Sequence, residues 1–184
     1  MWSFGSPVLV GSSTSVIIHL LACIHNGSLT HVDSAGNAKM VDVGNKTSTQ
    51  RVARARAVVH VGEEVGRLIC ENNLKKGNVL LVAQLAGIVA AKRTAELIPL
   101  CHNVPLTLVC VDAQMHKDKS AVMITSEARC EGKTGVEMEA LTAVTVAALT
   151  VYDMCKAVSH DIVISDVCLL SKSGGRSGTF HRKE

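Results

Sequence analysis

A chain of 184 residues with 47% hydrophobic side chains is long enough to bury a core without staples and too apolar to remain unfolded. Aromatic residues make up only 2%, too few for stacking bases, and a formal net charge of +3 is too small to mark a nucleic-acid footprint. The seven cysteines are odd in number and scattered without a C-x-x-C pair, which excludes a disulfide framework and a zinc signature and points to a reducing compartment.

Residues 1–28 read as an extension with no legible role. They are Gly and Ser rich and carry an apolar run at 16–24 that is too short to span a bilayer. They also lack the basic start of a secretion signal and the arginines of a transit peptide. No Lys or Arg occurs before Lys39, so all 19 basic residues lie beyond it and leave room for a basic pocket that takes a small polyanion.

From Leu29 the punctuation predicts a turn at Asp33 to Gly36, a short strand around 39–43 and a Gly44-Asn45 turn before Lys46. Residues 51–61 alternate Arg54 and Arg56 against Ala53, Ala55 and Ala57, the period of a strand, which Gly62 ends. Residues 63–73 read as a helix with acids in its first turn. After the basic turn Lys75-Lys76-Gly77, Asn78 is placed to cap a helix over 79–97 that stops before Pro99. Its Ala83, Ala86, Gly87, Ala90 and Ala91 would admit another backbone closely.

A loop carrying His102 follows, then a hairpin of strands 106–114 and 121–129 joined by His-Lys-Asp-Lys. Residues 138–158 form a long helix, apolar nearly all round and therefore buried, with Thr134 or Gly135 in the N-cap region. A last strand over 161–170 leads to Ser-Lys-Ser-Gly-Gly-Arg-Ser-Gly and the polar tail 181–184. The order is that of an α+β, ferredoxin-like split β-α-β-β-α-β domain: an antiparallel sheet with helices on one face. Val109, Val111, Val122, Ile124 and Val163 are expected to offer apolar surface on the open face to a partner subunit.

Lysines and carboxylates dominate the candidate chemistry. Asp153 and Lys156 lie three residues apart on one helical face, a spacing that serves equally as a helix-end staple. The Gly-rich Lys172 to Gly178 turn exposes N–H groups suited to phosphate but opens no helix as a P-loop must. Lys92-Arg93 reads equally as a solvated helix end. His102 has no second metal ligand at a recognisable spacing, and neither Ser-His-Asp nor G-x-S-x-G logic is present. These are parts for proton transfer on a phosphorylated substrate. Glu139 and Asp153, fourteen residues apart, would stand roughly 21 Å apart on a continuous helix, so one shared site needs a long ligand or a second subunit. A nucleotide-sensing or RNA-binding module of the same fold, and a catalytically inert scaffold subunit, are the rival readings.

Thr-Gly-Val-Glu-Met-Glu-Ala-Leu-Thr-Ala at 134–143, Tyr-Asp-Met-Cys-Lys-Ala-Val at 152–158, Lys-Arg-Thr-Ala-Glu-Leu-Ile-Pro-Leu-Cys-His at 92–102, the Lys75-Lys76-Gly77 turn and the Lys172 to Gly178 turn together resemble the cyclic pyranopterin monophosphate synthases, molybdenum cofactor biosynthesis protein C. The resemblance spans residues 29–180 and implies a ferredoxin-like hexamer, a trimer of dimers with sites at the dimer interface. It implies conversion of a cyclised dihydro-GTP to cyclic pyranopterin monophosphate with release of pyrophosphate. Asp153, Lys156 and Lys76 would be catalytic, with burial bringing a lysine toward neutrality. Leu100, Cys101, His102, Glu137, Met138 and Glu139 would bind substrate, and Lys46, Arg51, Lys92 and Lys172 match basic positions for the triphosphate, with Lys133 in the same set. No resident cofactor or metal is implied, though a divalent cation could accompany the triphosphate. The expected setting is the mitochondrial matrix or cytoplasm, with no nucleic-acid or membrane partner. Asn78, Asn103 and Arg176 stand where relatives commonly carry Asp, Pro and Lys.

Overall fold

The computed structural model describes residue 31 and residues 35–183. The chain divides into two compact units, residues 1–39 and 40–184. In the first, the Lys39 N–H donates to the His31 carbonyl at 2.9 Å. The extension 1–28 and its apolar run lie outside the described residues.

The second unit runs β1 (Thr49–His60), α1 (Gly62–Cys70), α2 (Val79–Lys92), α3 (Thr94–Leu97), β2 (Leu106–Met115), β3 (Ala121–Gly132), α4 (Glu137–Cys155), β4 (Val163–Ser173) and β5 (Phe180–His181). The sheet order is β2-β3-β1-β4-β5 with every neighbouring pair antiparallel. This is an α+β fold consistent with a ferredoxin-like arrangement, as the element order predicts.

Period-two alternation places Ala53, Ala55, Ala57 and Val59 of β1 on the core side, with Arg54 and His60 exposed opposite them. Against those small residues lies α4, whose Ala140, Ala143, Ala147 and Ala148 are fully buried. Alanine on alanine brings helix and sheet close, and Val144 and Val151 fill the remaining space, each contributing about 1.5 to 3 kcal/mol of burial. On its other flank α4 meets α2 at Gly87, where a Cβ would stand 2.8 Å from the Ala143 carbonyl oxygen. By length and composition α4 could cross a membrane. Its packing between sheet and α2 makes it instead the central core helix.

The open side of the sheet differs from expectation. Val111, Val122 and Ile124 are buried under the helices, while Arg54 pairs with Glu127 across that open side at 2.5 Å. The parity of β2 and β3 turns those valines and the isoleucine inward, and of the five expected residues Val163 is the one plainly exposed. Exposed apolar side chains also lie on the helices, Leu81, Leu85 and Val89 of α2 and Leu149 of α4, beside Leu108 and Val167 on the strands.

Other boundaries moved for local reasons. No strand forms at 39–43, because the Asp42 carboxylate accepts from the Gly44 N–H at 2.7 Å and turns the chain. The helix expected over 79–97 breaks at Arg93 (φ −111°, ψ 12°), beside which the buried Thr94 hydroxyl donates to the Ala91 carbonyl at 3.0 Å. The N-cap of α4 is Val136, not Thr134 or Gly135, and α4 ends at Cys155, short of residue 158. Strand β5 was not foreseen. Gly174, Gly175 and Gly178, all at positive φ, reverse the chain so that Phe180 pairs with Lys172.

Candidate active site

Two polar clusters lie at opposite ends of α4. The first is built on its C-terminal turn, where carbonyl groups lack intrahelical partners and the helix dipole favours cations. Lys76 reaches it from the Lys75-Lys76-Gly77 turn, which Gly77 permits with φ +87° and which Asn78 ends by capping α2, its Oδ1 accepting from the Leu81 N–H at 3.0 Å. The Lys76 ammonium donates to the Asp153 main-chain carbonyl at 2.8 Å and to its carboxylate Oδ2, also at 2.8 Å. The other carboxylate oxygen, Oδ1, pairs with Lys156 Nζ at 2.7 Å. Asp153 is thus shared between two ammonium groups.

The hydrogen bond from Lys156, then that from Lys76, pulls the Asp153 carboxyl down to about 2, so it stays ionised at neutrality. The same bond raises Lys156 above the ordinary lysine value. The expectation of a lysine brought toward neutrality by burial is therefore corrected for Lys156: its side chain is about half exposed, and the carboxylate holds its proton. Beside the pair, Cys155 is fully buried and its thiol is pushed up to about 11 by burial, leaving it protonated and inert.

The second cluster surrounds the N-terminal end of α4, where a cavity of about 540 Å³ is lined by Lys46, Arg51, Lys133, Lys172 and Arg176 with Glu137 as its one acid. Lys133 is held by the Gly44 carbonyl at 2.6 Å, Arg51 Nε by the Gly132 carbonyl at 3.3 Å, and Lys172 by Glu137 at 2.9 Å. Gly174 and Gly175 close one wall: a Cβ on Gly174 would stand 2.1 Å from the Gln50 carbonyl oxygen, and one on Gly175 would collide with Arg51. Thr49 lines the same space with a buried hydroxyl that has no hydrogen-bond partner among the described residues. Thr49 is absent from the sequence-expected site residues, and Arg176 enters them only through the Gly-rich turn suited to phosphate. Lys92, at the exposed end of α2, does not line this cavity.

Close to this end stands the loop 100–102. The His102 ring bonds the Val41 carbonyl through Nε2 at 2.7 Å. Burial, reinforced by the charge of Glu139, raises the Cys101 thiol. Glu139 itself is 4% exposed, and burial drives its carboxyl up to about 7, with the charge of Glu137 adding to the shift. Met138, between the two acids, stays partly exposed. Among the described residues no group of three or more His, Cys, Asp or Glu is placed to hold a metal.

Sixteen residues separate Glu137 from Asp153, roughly 24 Å along the helix. One chain therefore gathers Lys46, Arg51, Lys133, Lys172 and Glu137 at one end and Lys76, Asp153 and Lys156 at the other, without joining them.

A model of the MoaC family matches residues 40–175, which takes in both clusters apart from Arg176. "Molybdenum cofactor biosynthesis protein 1" of Drosophila melanogaster is 64% identical over 156 residues, 85% of this chain but 27% of that protein, so the chain spans about a quarter of this relative. "Cyclic pyranopterin monophosphate synthase" of Rhodospirillum rubrum is 57% identical over 152 residues, 83% of this chain and 92% of its own. "Cyclic pyranopterin monophosphate synthase, mitochondrial" of Arabidopsis thaliana is 55% identical over 154 residues, 84% of this chain and 57% of its own. With both ends of α4 inside the matched region and a bacterial relative covered almost end to end, this chain belongs to the MoaC family.

Proposed function

We propose that the chain is a cyclic pyranopterin monophosphate synthase of molybdenum cofactor biosynthesis, and that residues 29–180 carry the activity. The substrate is (8S)-3',8-cyclo-7,8-dihydroguanosine 5'-triphosphate, and the products are cyclic pyranopterin monophosphate and pyrophosphate. The observation that carries the reading is the Asp153 carboxylate bridging Lys76 and Lys156, because two ammonium groups aligned on one ionised acid are a proton-transfer device. Lys76 and Lys156 begin as acids. They deliver protons as the purine-derived ring opens and recover them as the pterin closes, while Asp153 stays ionised and keeps both in line.

The cationic cavity takes the triphosphate through Lys46, Arg51, Lys133 and Lys172, with a divalent cation as an optional companion of the phosphates. Leu100, Cys101, His102, Glu137, Met138 and Glu139 form the neighbouring wall for the substrate. Lys92 is retained for the triphosphate only on the strength of the family resemblance. Because the two clusters stand at opposite ends of α4, a complete site draws them from two subunits, in a hexamer assembled as a trimer of dimers. The apolar side chains exposed on α2 and α4 favour such self-association. The free cysteines support a reducing compartment, cytoplasm or mitochondrial matrix.

Incubation of the purified chain with the cyclic dihydro-GTP intermediate should release pyranopterin and pyrophosphate in equal amounts. A protein that binds the intermediate without product would be a nucleotide-sensing module, and the synthase reading would be wrong. Light scattering should return six subunits, and a stable monomer at micromolar concentration would overturn the composite site.

A further inference from the structure

The cationic cavity contains its own anion. Glu137 is the single acid among its lining residues, and its carboxylate lies 2.9 Å from Lys172 Nζ with both side chains about 70% shielded from solvent. The carboxylate folds back over Gly135: a Cβ on that glycine would stand 1.8 Å from Glu137 Oε2. The missing side chain at Gly135 is therefore the space that the acid occupies while paired with Lys172. Lys46 and Arg176, by contrast, have no ion-pair partner among the described residues, so Glu137 neutralises one particular cation and leaves others open.

We propose that Glu137 is an internal counter-ion that must leave Lys172 before a ligand binds there, so that Lys172 is yielded to phosphate chains and withheld from single phosphates. The inference rests on the phosphate reading of this cavity given above. A monophosphate that engages Lys172 exchanges one ion pair for another and gains little. A chain of phosphates loses that same pair but adds contacts to Lys46, Lys133 and Arg176, each charge-assisted. Glu137 thereby acts as a specificity-determining residue by competition, not by touching the reacting atoms.

Binding of inorganic phosphate, pyrophosphate and tripolyphosphate to the full chain, measured by calorimetry at fixed ionic strength, tests this without any turnover. Wild-type protein should bind tripolyphosphate well and phosphate poorly. Glu137→Gln should strengthen phosphate binding about fivefold and tripolyphosphate binding by no more than that factor. Gly135→Ala keeps the acid but fills the space it occupies beside Lys172, and its backbone conformation is open to alanine, so it should shift phosphate affinity in the same direction. Circular dichroism of both variants guards against misfolding, and a rise in phosphate affinity in folded Glu137→Gln supports the counter-ion. Unchanged or weaker phosphate binding in folded Glu137→Gln, with wild-type tripolyphosphate binding intact, overturns the counter-ion alone. Absence of tripolyphosphate binding in wild type overturns the counter-ion and the phosphate reading together. If Glu137→Gln does not fold, Gly135→Ala decides, and unchanged phosphate affinity in it overturns the proposal.

Discussion

Asp153 holds Lys76 on one carboxylate oxygen at 2.8 Å and Lys156 on the other at 2.7 Å, so a residue of the α4 C-terminus and a residue of a distant turn share one acid. Lys76 also takes the Asp153 main-chain carbonyl, which a helix end otherwise leaves to water. The arrangement joins sequence positions 77 residues apart and needs no burial to persist.

Removing either lysine should therefore reduce chemistry more than folding. Lys156→Ala and Lys76→Ala should each lower single-turnover product formation by about a hundredfold or more, the scale of losing a positioned acid. Their thermal midpoints should stay close to wild type, since both side chains are about half exposed. A variant that keeps full turnover would remove that lysine from the mechanism.

Asp153→Asn separates charge from shape. Without the carboxylate the force raising Lys156 is lost, so the alkaline limb of the rate against pH, where this acid loses its proton, should move to lower pH. Nitrogen-15 or carbon-13 NMR of the lysine side chains can follow the same titration directly, and an unmoved Lys156 would show that Asp153 does not tune it.

Glu139 sets a pH dependence of stability. Its folded value of about 7 exceeds the ordinary 4.5, so over the window between them the folded state holds more protons than the unfolded state. Stability should fall as pH rises through that window, by on the order of 3 kcal/mol, and the loss should be complete above it. Glu139→Gln should flatten this slope in denaturant unfolding curves taken at about pH 5 and about pH 8. A slope that survives the substitution would place the titrating group elsewhere.

Gly66 is a test of the scaffold. The Val61 and Gly62 N–H groups both donate to the Ser120 carbonyl, at 2.9 and 3.0 Å, and pin the β2–β3 turn onto α1. A Cβ at Gly66 would stand 1.7 Å from the Lys119 carbonyl oxygen, a backbone atom that cannot rotate away. Gly66→Ala should cost about 1 to 3 kcal/mol in chemical denaturation, although alanine is otherwise the better helix former. An increase in stability would mean that the turn is free to move.

The Asn78 cap, the alternation of β1 and the apolar α4 were legible because they obey local rules: a side chain reaching three residues ahead, a period of two, a run without charge. The short strand at 39–43 was misread because Asp42 competes locally for the Gly44 N–H, a bond only a few residues long that hydropathy does not register. Strand β5 went unseen because two residues carry no period, and their pairing depends on how three glycines turn the chain. The inward facing of Val111, Val122 and Ile124 depended on register, where a slip of one residue exchanges the two faces.

By itself the sequence determined the order of the main strands and helices, the α+β class, the long core helix and the lysines and acids at its ends, since each follows from spacing along one chain. Tertiary structure decided which of those groups meet. Lys76 joins Asp153 and Lys156 because α2 packs beside α4 and brings its preceding turn to that helix end. Lys46, Arg51, Lys133, Lys172 and Arg176 converge because the sheet and a Gly-rich reversal deliver them to the other end. The charge on Lys156 and Glu139 was decided there too: a shared carboxylate holds the proton on one, and exclusion of water holds it on the other.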